Sequence, residues 1–479
     1  MNMHSTQAKI QKAVLVGVQL PRVTDAELKS SLDELARLVT TLGYEVVGRT
    51  SQRRSSTRTA AVLGDGKLRE LSQWTGGSGD VASMVVKKKH KAALKFDSNK
   101  TSDELDEENE EFIEEDEISE EETTDSEAPK ERADVVIFDC DLSPSQLRNL
   151  ESATGATVLD RTGVIIEIFS RHARTRAARL QVEIARLTYV APRLRETGGG
   201  EDRGGGGVGG KGAGETSIEL DRRKIRDRIK ELKNELGAIG QEHLTRRSRR
   251  QQENCVALVG YTNAGKSSLM RAMTGSEVLV ADKLFATLDT TVRAIHPETR
   301  PKILLSDTVG FIKKLPHDLV ASFKSTLDEA LNASLLLYVV DSSDPSFRSQ
   351  LEVTKSVLGE VGVEDTPSFL ILNKRDRLSA EESAALRKEF PDAIQLSTRN
   401  PQDLQDLRAR LISFFEEDMV DEDIIVPYSI QGIIGEVRAR LRVLSESYDE
   451  KGVKITARGS SEDFSRIRSK IQQALDDKE

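Results

Sequence analysis

Gly260-Tyr261-Thr262-Asn263-Ala264-Gly265-Lys266-Ser267, a GxxxxGKS run, is the stretch on which the fold of this 479-residue chain turns. The apolar segment Cys255-Val256-Ala257-Leu258-Val259 precedes it, and Ser268-Leu269-Met270-Arg271-Ala272-Met273, which reads as helix, follows. A buried strand feeding a glycine loop that opens a helix is the context in which such a run holds phosphate. Glycines let backbone N–H groups approach the α- and β-phosphates, and the positive end of the helix adds to their pull. Lys266 would reach the β/γ oxygens, the Ser267 hydroxyl would take Mg²⁺, and the stretch from Gly260 to Ser268 would line the nucleotide. The plain alternative is a glycine turn with an exposed lysine, and the strand-to-helix context weighs against it.

The base is read further along. Residues 366–373 form another strand-like run, ending in Asn373-Lys374-Arg375-Asp376, an NKxD box. A carboxylate at its fourth position can accept hydrogen bonds from both N1–H and the exocyclic amine of guanine, a donor pair that adenine lacks. The implied nucleotide is therefore GTP. Lys374 would lay its aliphatic stem along the base, and Asn373 would tie the box to the phosphate loop. Between the two motifs, residues 302–306 read as a strand closing on Asp307-Thr308-Val309-Gly310. There Asp307 suits a water-mediated Mg²⁺ contact and the Gly310 N–H faces the γ-phosphate, which makes Lys266 and Gly310 the candidates for catalytic work. Leu396-Ser397-Thr398 is the last box, bringing Ser397 and Thr398 near the base. One box alone is weak evidence; three in order, each at a strand end, predict a doubly wound sheet with its ligand groups at the carboxyl ends.

The switch segments are less sharply marked. Residues 281–293 should hold the threonine that completes the Mg²⁺ shell when the γ-phosphate is present, and Thr287, Thr290 and Thr291 all compete. Phe311 stands directly after the DxxG box, where many GTPases place the glutamine that orients the attacking water. Phenylalanine cannot do this, so hydrolysis by the free protein should be slow until a partner or a rearranged loop completes the site.

Taken together these residues resemble the HflX family of translation-associated GTPases. The phosphate loop, residues 284–289 (LFATLD), 307–311 (DTVGF) and 315–323 (LPHDLVASF) are similar to that family's G domain, and residues 160–169 and 214–226 to its N-terminal half. The resemblance covers nearly the whole chain from about residue 13. It implies that Thr287 is the switch-one threonine and that a hydrophobic Phe311 is normal. Asn263 matches an asparagine that ligates K⁺ in some related GTPases. The partner implied is the large ribosomal subunit and its rRNA, and the duty implied is splitting of stalled or idle ribosomes under stress. Ribosome assembly is the alternative, and a non-catalytic RNA-binding scaffold is the alternative from another class.

Composition agrees with a soluble chain. Hydrophobic residues make up 37% of it, enough for real cores, yet no apolar run approaches the roughly 18 residues that would span a bilayer. The sequence shows no signal-peptide pattern, and its two cysteines, Cys140 and Cys255, lie in apolar strand-like contexts with no CxxC. Buried thiols in a cytoplasmic monomer are expected. The net charge of −10 hides an asymmetry. Residues 97–127 carry 17 acidic side chains against Lys100 alone, a net of −16 that leaves +6 for the remainder. Such a run has little to bury and repels itself, so 97–130 reads as a disordered acidic insertion that departs from the family pattern.

Around that insertion, strand-like runs at 13–18, 44–47, 81–86 and 135–138 alternate with helical patterns at 25–42 and 143–151. This argues a small parallel α/β domain over 1–160. Gly64-Asp65-Gly66-Lys67 within it is a weak phosphate signal, better read as a turn into a helix. The resemblance implies an effector domain here, and some relatives are reported to bind ATP in it. Apolar positions at spacings of three and four, from Ile168 to Leu187 and from Ile225 to Ile239, predict two long amphipathic helices packed as an antiparallel hairpin over 161–252. Its glycine-rich tip, 198–214, carries Arg203 and Lys211. Both helices turn basic faces outward: Arg171, Arg174, Arg176 and Arg179 on one, Arg222, Arg223, Lys224, Arg226 and Arg228 on the other, then Arg246-Arg247-Ser248-Arg249-Arg250. That clustering beside a flexible tip suits a phosphodiester partner. The G domain is expected over 253–418. A compact α/β subdomain is expected over 424–479, with 431–444 helical and 452–457 a strand.

Overall fold

The computed structural model describes residues 10–80, 131–194, 217–248, 254–275, 284–285, 291–314, 330–363, 365–417, 419–430, 432–450 and 452–476. The chain divides into two compact units, residues 1–168 and 169–479. The acidic run, the predicted strand at 81–86, the glycine-rich stretch 198–214 and residues 315–323 lie outside the described residues.

The first unit is built on a four-stranded parallel sheet. Its strands are β1 (Lys12–Gln19), β2 (Glu45–Arg53), β3 (Val135–Phe138) and β4 (Thr157–Asp160), in the order β2-β1-β3-β4. Helices α1 (Asp25–Thr41), α2 (Asp65–Thr75) and α3 (Pro144–Thr154) connect them. Thr24 and Glu27 form a capping box that starts α1, and Ser143 and Gln146 do the same for α3. Each box satisfies otherwise orphaned N–H groups and contributes about 1 kcal/mol. Val14, Val16, Leu68, Leu71, Trp74, Val136, Phe138 and Leu150 fill one layer of the core.

α4 (Arg161–His172) follows β4 directly. The predicted first arm of the hairpin is not one helix: it breaks at residues 173–175, where Thr175 caps α5 (Arg176–Val190) by accepting a hydrogen bond from the Ala178 N–H. A threonine with extended backbone offers the chain a cap in place of another helical turn. The second arm, α6 (Ser217–Ser248), is continuous over 32 residues. Leu180 and Ile184 pack on Leu232, with Leu187, Ile229, Leu236 and Ile239 around them. Arg176 meets Glu235, and Arg228 meets Glu183, so rising numbers on α5 face falling ones on α6 and the pair is antiparallel.

Next comes a six-stranded sheet of β5 (Asn254–Val259), β6 (Thr291–Ala294), β7 (Ile303–Asp307), β8 (Leu335–Asp341), β9 (Ser368–Asn373) and β10 (Ile394–Gln395), ordered β10-β9-β8-β5-β7-β6. Only β6 runs antiparallel to its neighbour. Val256, Leu258, Leu305, Leu337, Val339 and Ile371 are buried against α7 (Lys266–Thr274) and α10 (Pro401–Glu416), while α8 (Phe347–Val361) and α9 (Ala380–Glu389) follow β8 and β9. β5 lies between β7 and β8, so connections leave it in both directions. The crevice beyond its carboxyl end is the position where open α/β sheets bind ligands.

The last sheet is antiparallel, of order β11-β13-β12: β11 (Val420–Val426), β12 (Arg442–Asp449) and β13 (Gly452–Gly459), with α11 (Gly432–Arg440) and α12 (Ser461–Asp476). Here the expected helix over 431–444 ends early. After Arg440 the fully buried Leu441 turns the chain, and residues 442–449 pair with β13 as a strand. Cys140 and Cys255 are half-buried thiols without a disulfide, where burial was expected. Among the described residues no helix is long and apolar enough to cross a membrane.

Candidate nucleotide site

The loop from Gly260 to Gly265 leaves β5 and enters α7 under tight constraint. Gly260 has φ +150°, and a Cβ on it would lie 2.1 Å from the Val339 carbonyl; Gly265 has φ +98°, and its Cβ would lie 2.2 Å from the Asn373 amide nitrogen. Only glycine fits such positions. Asn263 adopts φ +60° at the exposed tip of the loop.

Lys266 is buried, and its ammonium donates to the carbonyls of Gly260 (3.0 Å) and Tyr261 (2.8 Å). Burial lowers its pKa to about 8, against the opposing pull of Asp307. Ser267 Oγ donates to Asp307 Oδ2 at 2.7 Å. A hydroxyl and a carboxylate converging at the carboxyl ends of β5 and β7 form an oxygen donor set suited to Mg²⁺. The Thr262 hydroxyl in the same loop is buried without a hydrogen-bond partner.

The DxxG segment lies directly on this loop. A Cβ on Gly310 would come 2.9 Å from Thr262 Cα and 3.1 Å from Lys266 Nζ. Phe311 N–H donates to the Gly260 carbonyl (3.1 Å), and Thr262 N–H donates to the Phe311 carbonyl (2.8 Å). The Tyr261 hydroxyl accepts from the Lys313 N–H at 2.6 Å. Phe311, the residue that marks the missing glutamine, is 3% exposed, so its ring points into the protein and not toward solvent.

On the other side, Asn373 Nδ2 donates to the Ala264 carbonyl at 2.9 Å. Lys374, at φ +63°, donates to the Asn263 carbonyl (2.8 Å) and to Asp341 Oδ2 (2.6 Å). Asp376 Oδ1 accepts from the Ser397 hydroxyl at 2.7 Å; that bond, aided by Arg399 and Arg377, holds the Asp376 carboxyl below its ordinary pKa. An ionised carboxylate there can only accept, as a guanine edge requires. Ser268 lies in the first turn of α7, and Thr398 follows Ser397 in the loop after β10. Of the competing threonines, Thr291 sits in β6 opposite Asp307, whereas Thr287 and Thr290 lie outside the described residues.

Three residues of this site escaped the sequence reading. Asp341 braces Lys374, and Asp403 and Arg375 stand behind the last box. Asp341 ends the apolar run of β8, a position from which it could have been suspected; Asp403 looks like an ordinary helix-start acid and gave no signal.

Fold and site together define a P-loop GTPase: a doubly wound sheet, a phosphate loop between strand and helix, and a guanine-type box at a neighbouring strand end. Matches to family models agree. "GTP-binding GTPase N-terminal" matches residues 29–91 and 108–170, "GTP-binding GTPase Middle Region" residues 172–250, and "50S ribosome-binding GTPase" residues 255–374. The first match skips 92–107, where the acidic run begins. A "GTPase HflX" from Gluconacetobacter diazotrophicus is 56% identical over 97% of this chain and 99% of its own, and one from Caldanaerobacter subterraneus is 35% identical over 96% and 94%. The chain belongs to the HflX family of GTPases. Its substrate is GTP, which this class hydrolyses with Mg²⁺. A solved GTP-binding protein of Sulfolobus solfataricus, in complex with GDP, aligns at 23% identity and TM-score 0.41 over 85% of this chain and all of that one.

Proposed function

We propose that the protein binds the large ribosomal subunit through its helical hairpin when loaded with GTP, and that it separates stalled or idle ribosomes under stress. The observation that carries this is the row of exposed arginines on α6 and around the start of α5: Arg222, Arg223 and Arg226 on α6, with Arg171 at the end of α4, Arg174 in the break that follows and Arg179 in α5. The matched description "50S ribosome-binding GTPase" supports it. Not every arginine serves alike. Arg228 forks onto Glu183 and Glu231, and Arg176 pairs with Glu235, so these two stitch the hairpin. On this reading the protein works in the cytosol as a monomer, with the 1–160, 161–252, 253–418 and 424–479 regions as separate modules.

In the same reading Lys266 and the Gly310 N–H stabilise charge on the γ-phosphate, Ser267, Thr287 and Asp307 serve Mg²⁺, and Asn373, Lys374, Asp376, Ser397 and Thr398 hold the base. Asn263, exposed at the loop tip, would help ligate K⁺. Phe311, turned inward, offers no group to orient water, and on this reading the free protein hydrolyses slowly. Purified large subunits should raise GTP turnover severalfold or more; unchanged turnover would overturn the proposal. Replacing Arg222, Arg223 and Arg226 together with glutamine should weaken subunit binding. It should also flatten the salt dependence by about 0.7 to 0.9 in log–log slope per lost phosphate contact. An unaltered slope would mean that these arginines are only a solvated face.

A further inference from the structure

The Asp376 carboxylate is held in place from behind by two residues to which no nucleotide contact is assigned, Asp403 outside the boxes and Arg375 at the variable position of the NKxD box. Asp403 lies in the first turn of α10, after the Asn400 cap, and is 7% exposed. Its carboxylate does not serve the N–H groups of its own helix. One oxygen accepts from the Ser397 N–H at 2.7 Å; the other accepts from Arg375 at 2.9 Å and from the Asn400 side-chain amide at 2.9 Å. Arg375 comes from inside the NKxD box, and its own N–H donates to the Leu396 carbonyl at 3.2 Å. Ser397, fixed through its backbone by Asp403, places its hydroxyl on Asp376.

The chain of contacts thus runs from one end of the base-reading turn to the other: Arg375 to Asp403, Asp403 to Ser397, Ser397 to Asp376. Charge-assisted bonds of 2.7 to 2.9 Å between largely shielded groups are the strong members of any such network. We propose that Arg375 and Asp403 are positioning residues for guanine specificity. They fix the loop after β10 against the NKxD turn so that Ser397 occupies one side of Asp376 and leaves its remaining lone pairs aimed at the N1–H and exocyclic amine of the base. This rests on the reading of Asp376 as the guanine acceptor. An isolated cap would stabilise α10 alone; a carboxylate turned away from its helix and onto the loop bearing Ser397 does more.

The test compares affinities for GDP and for IDP, which lacks the exocyclic amine, by equilibrium titration of the full-length protein. Asp403→Asn keeps the shape and removes the charge. It should weaken GDP binding about tenfold and IDP binding less, narrowing the preference. A purely structural role would weaken both nucleotides equally. Should Asp403→Asn fail to fold, Arg375→Gln, whose side chain is 35% exposed, carries the same prediction. Asp376→Asn serves as reference. If it abolishes the GDP preference while Asp403→Asn and Arg375→Gln leave it intact, the positioning proposal is overturned; if Asp376→Asn leaves it intact too, the base reading itself fails.

Discussion

Among the described residues, Lys67 and Lys266 each follow a glycine into the first turn of a helix, one in each unit, and their surroundings set them apart. Lys266 emerges from a loop that leaves a central strand directly, and its ammonium is buried among backbone carbonyls. Lys67 opens α2 after a loop of about ten residues beyond β2, and its ammonium pairs with Glu70 at 2.8 Å one turn on. Arg161 makes a third point of reference. It is as buried as Lys266 but donates to Asp139 at 2.7 Å and to Glu34. Burial opposes its charge, yet the Glu34 and Asp139 carboxylates outweigh that and hold its pKa above the ordinary value. A buried cation matched by carboxylates is part of the frame; one whose hydrogen bonds go to carbonyl dipoles keeps an uncompensated charge that can serve an anion.

The largest effect expected from this contrast is at Arg161. Arg161→Met leaves Glu34 and Asp139 buried without their cation, which should destabilise the first unit by about 3 to 5 kcal/mol. Denaturant unfolding measures this, with GDP affinity as the control, because Arg161 belongs to the first unit and the nucleotide boxes to the second. A loss below about 1 kcal/mol would mean that water enters the cluster and the carboxylates are not stranded.

Lys266 should behave in the opposite sense. Its pKa is about 8 in the folded, nucleotide-free protein, against 10.5 ordinarily. Between those values the unfolded chain holds more protons, so this lysine's contribution to stability rises with pH across the window from about 8 to 10.5 and is unfavourable below it. The shift corresponds to about 3 kcal/mol. Lys266→Met should therefore melt higher than the parent at pH 7 without nucleotide, with the advantage shrinking as pH approaches 10. Its GTP turnover should fall on the order of a hundredfold or more. Parallel melting curves for the two proteins across that range would show that the buried ammonium carries no penalty.

Much of this was legible in the sequence because the nucleotide boxes are local. Strand, glycine loop and helix follow one another within residues 254–274, and the NKxD box ends its own strand. What escaped depended on contacts between distant segments. Asp341 meets Lys374 across 33 residues, and Asp403 meets Arg375 across 28, neither at a spacing that periodicity reports. The break at 173–175 was hidden because apolar spacing continues across it while a single Thr175 cap decides the geometry. The strand at 442–449 was lost for the converse reason: propensity carried a helix past Leu441, and pairing with β13 prevailed.

The smallest effect expected is at Lys67, and it bears most directly on the contrast. If the glycine turn before α2 is only a way into a helix, Lys67→Met removes a half-buried pair with Glu70 and should cost no more than about 1 kcal/mol. It should change no nucleotide affinity. The cap geometry supports this: Gly64 caps α2 with no side-chain bond, and its own N–H donates to the Gln52 side chain at 2.9 Å. With that N–H committed and the Lys67 ammonium on a carboxylate, an incoming phosphate would have to displace Glu70. The check is titration of ATP and of inorganic phosphate into protein whose G site is already saturated with GDP. Binding that is present in the parent and lost in Lys67→Met would make this turn a second phosphate site, and the distinction between a lysine held by carboxylate and one held by carbonyls would no longer separate frame from function.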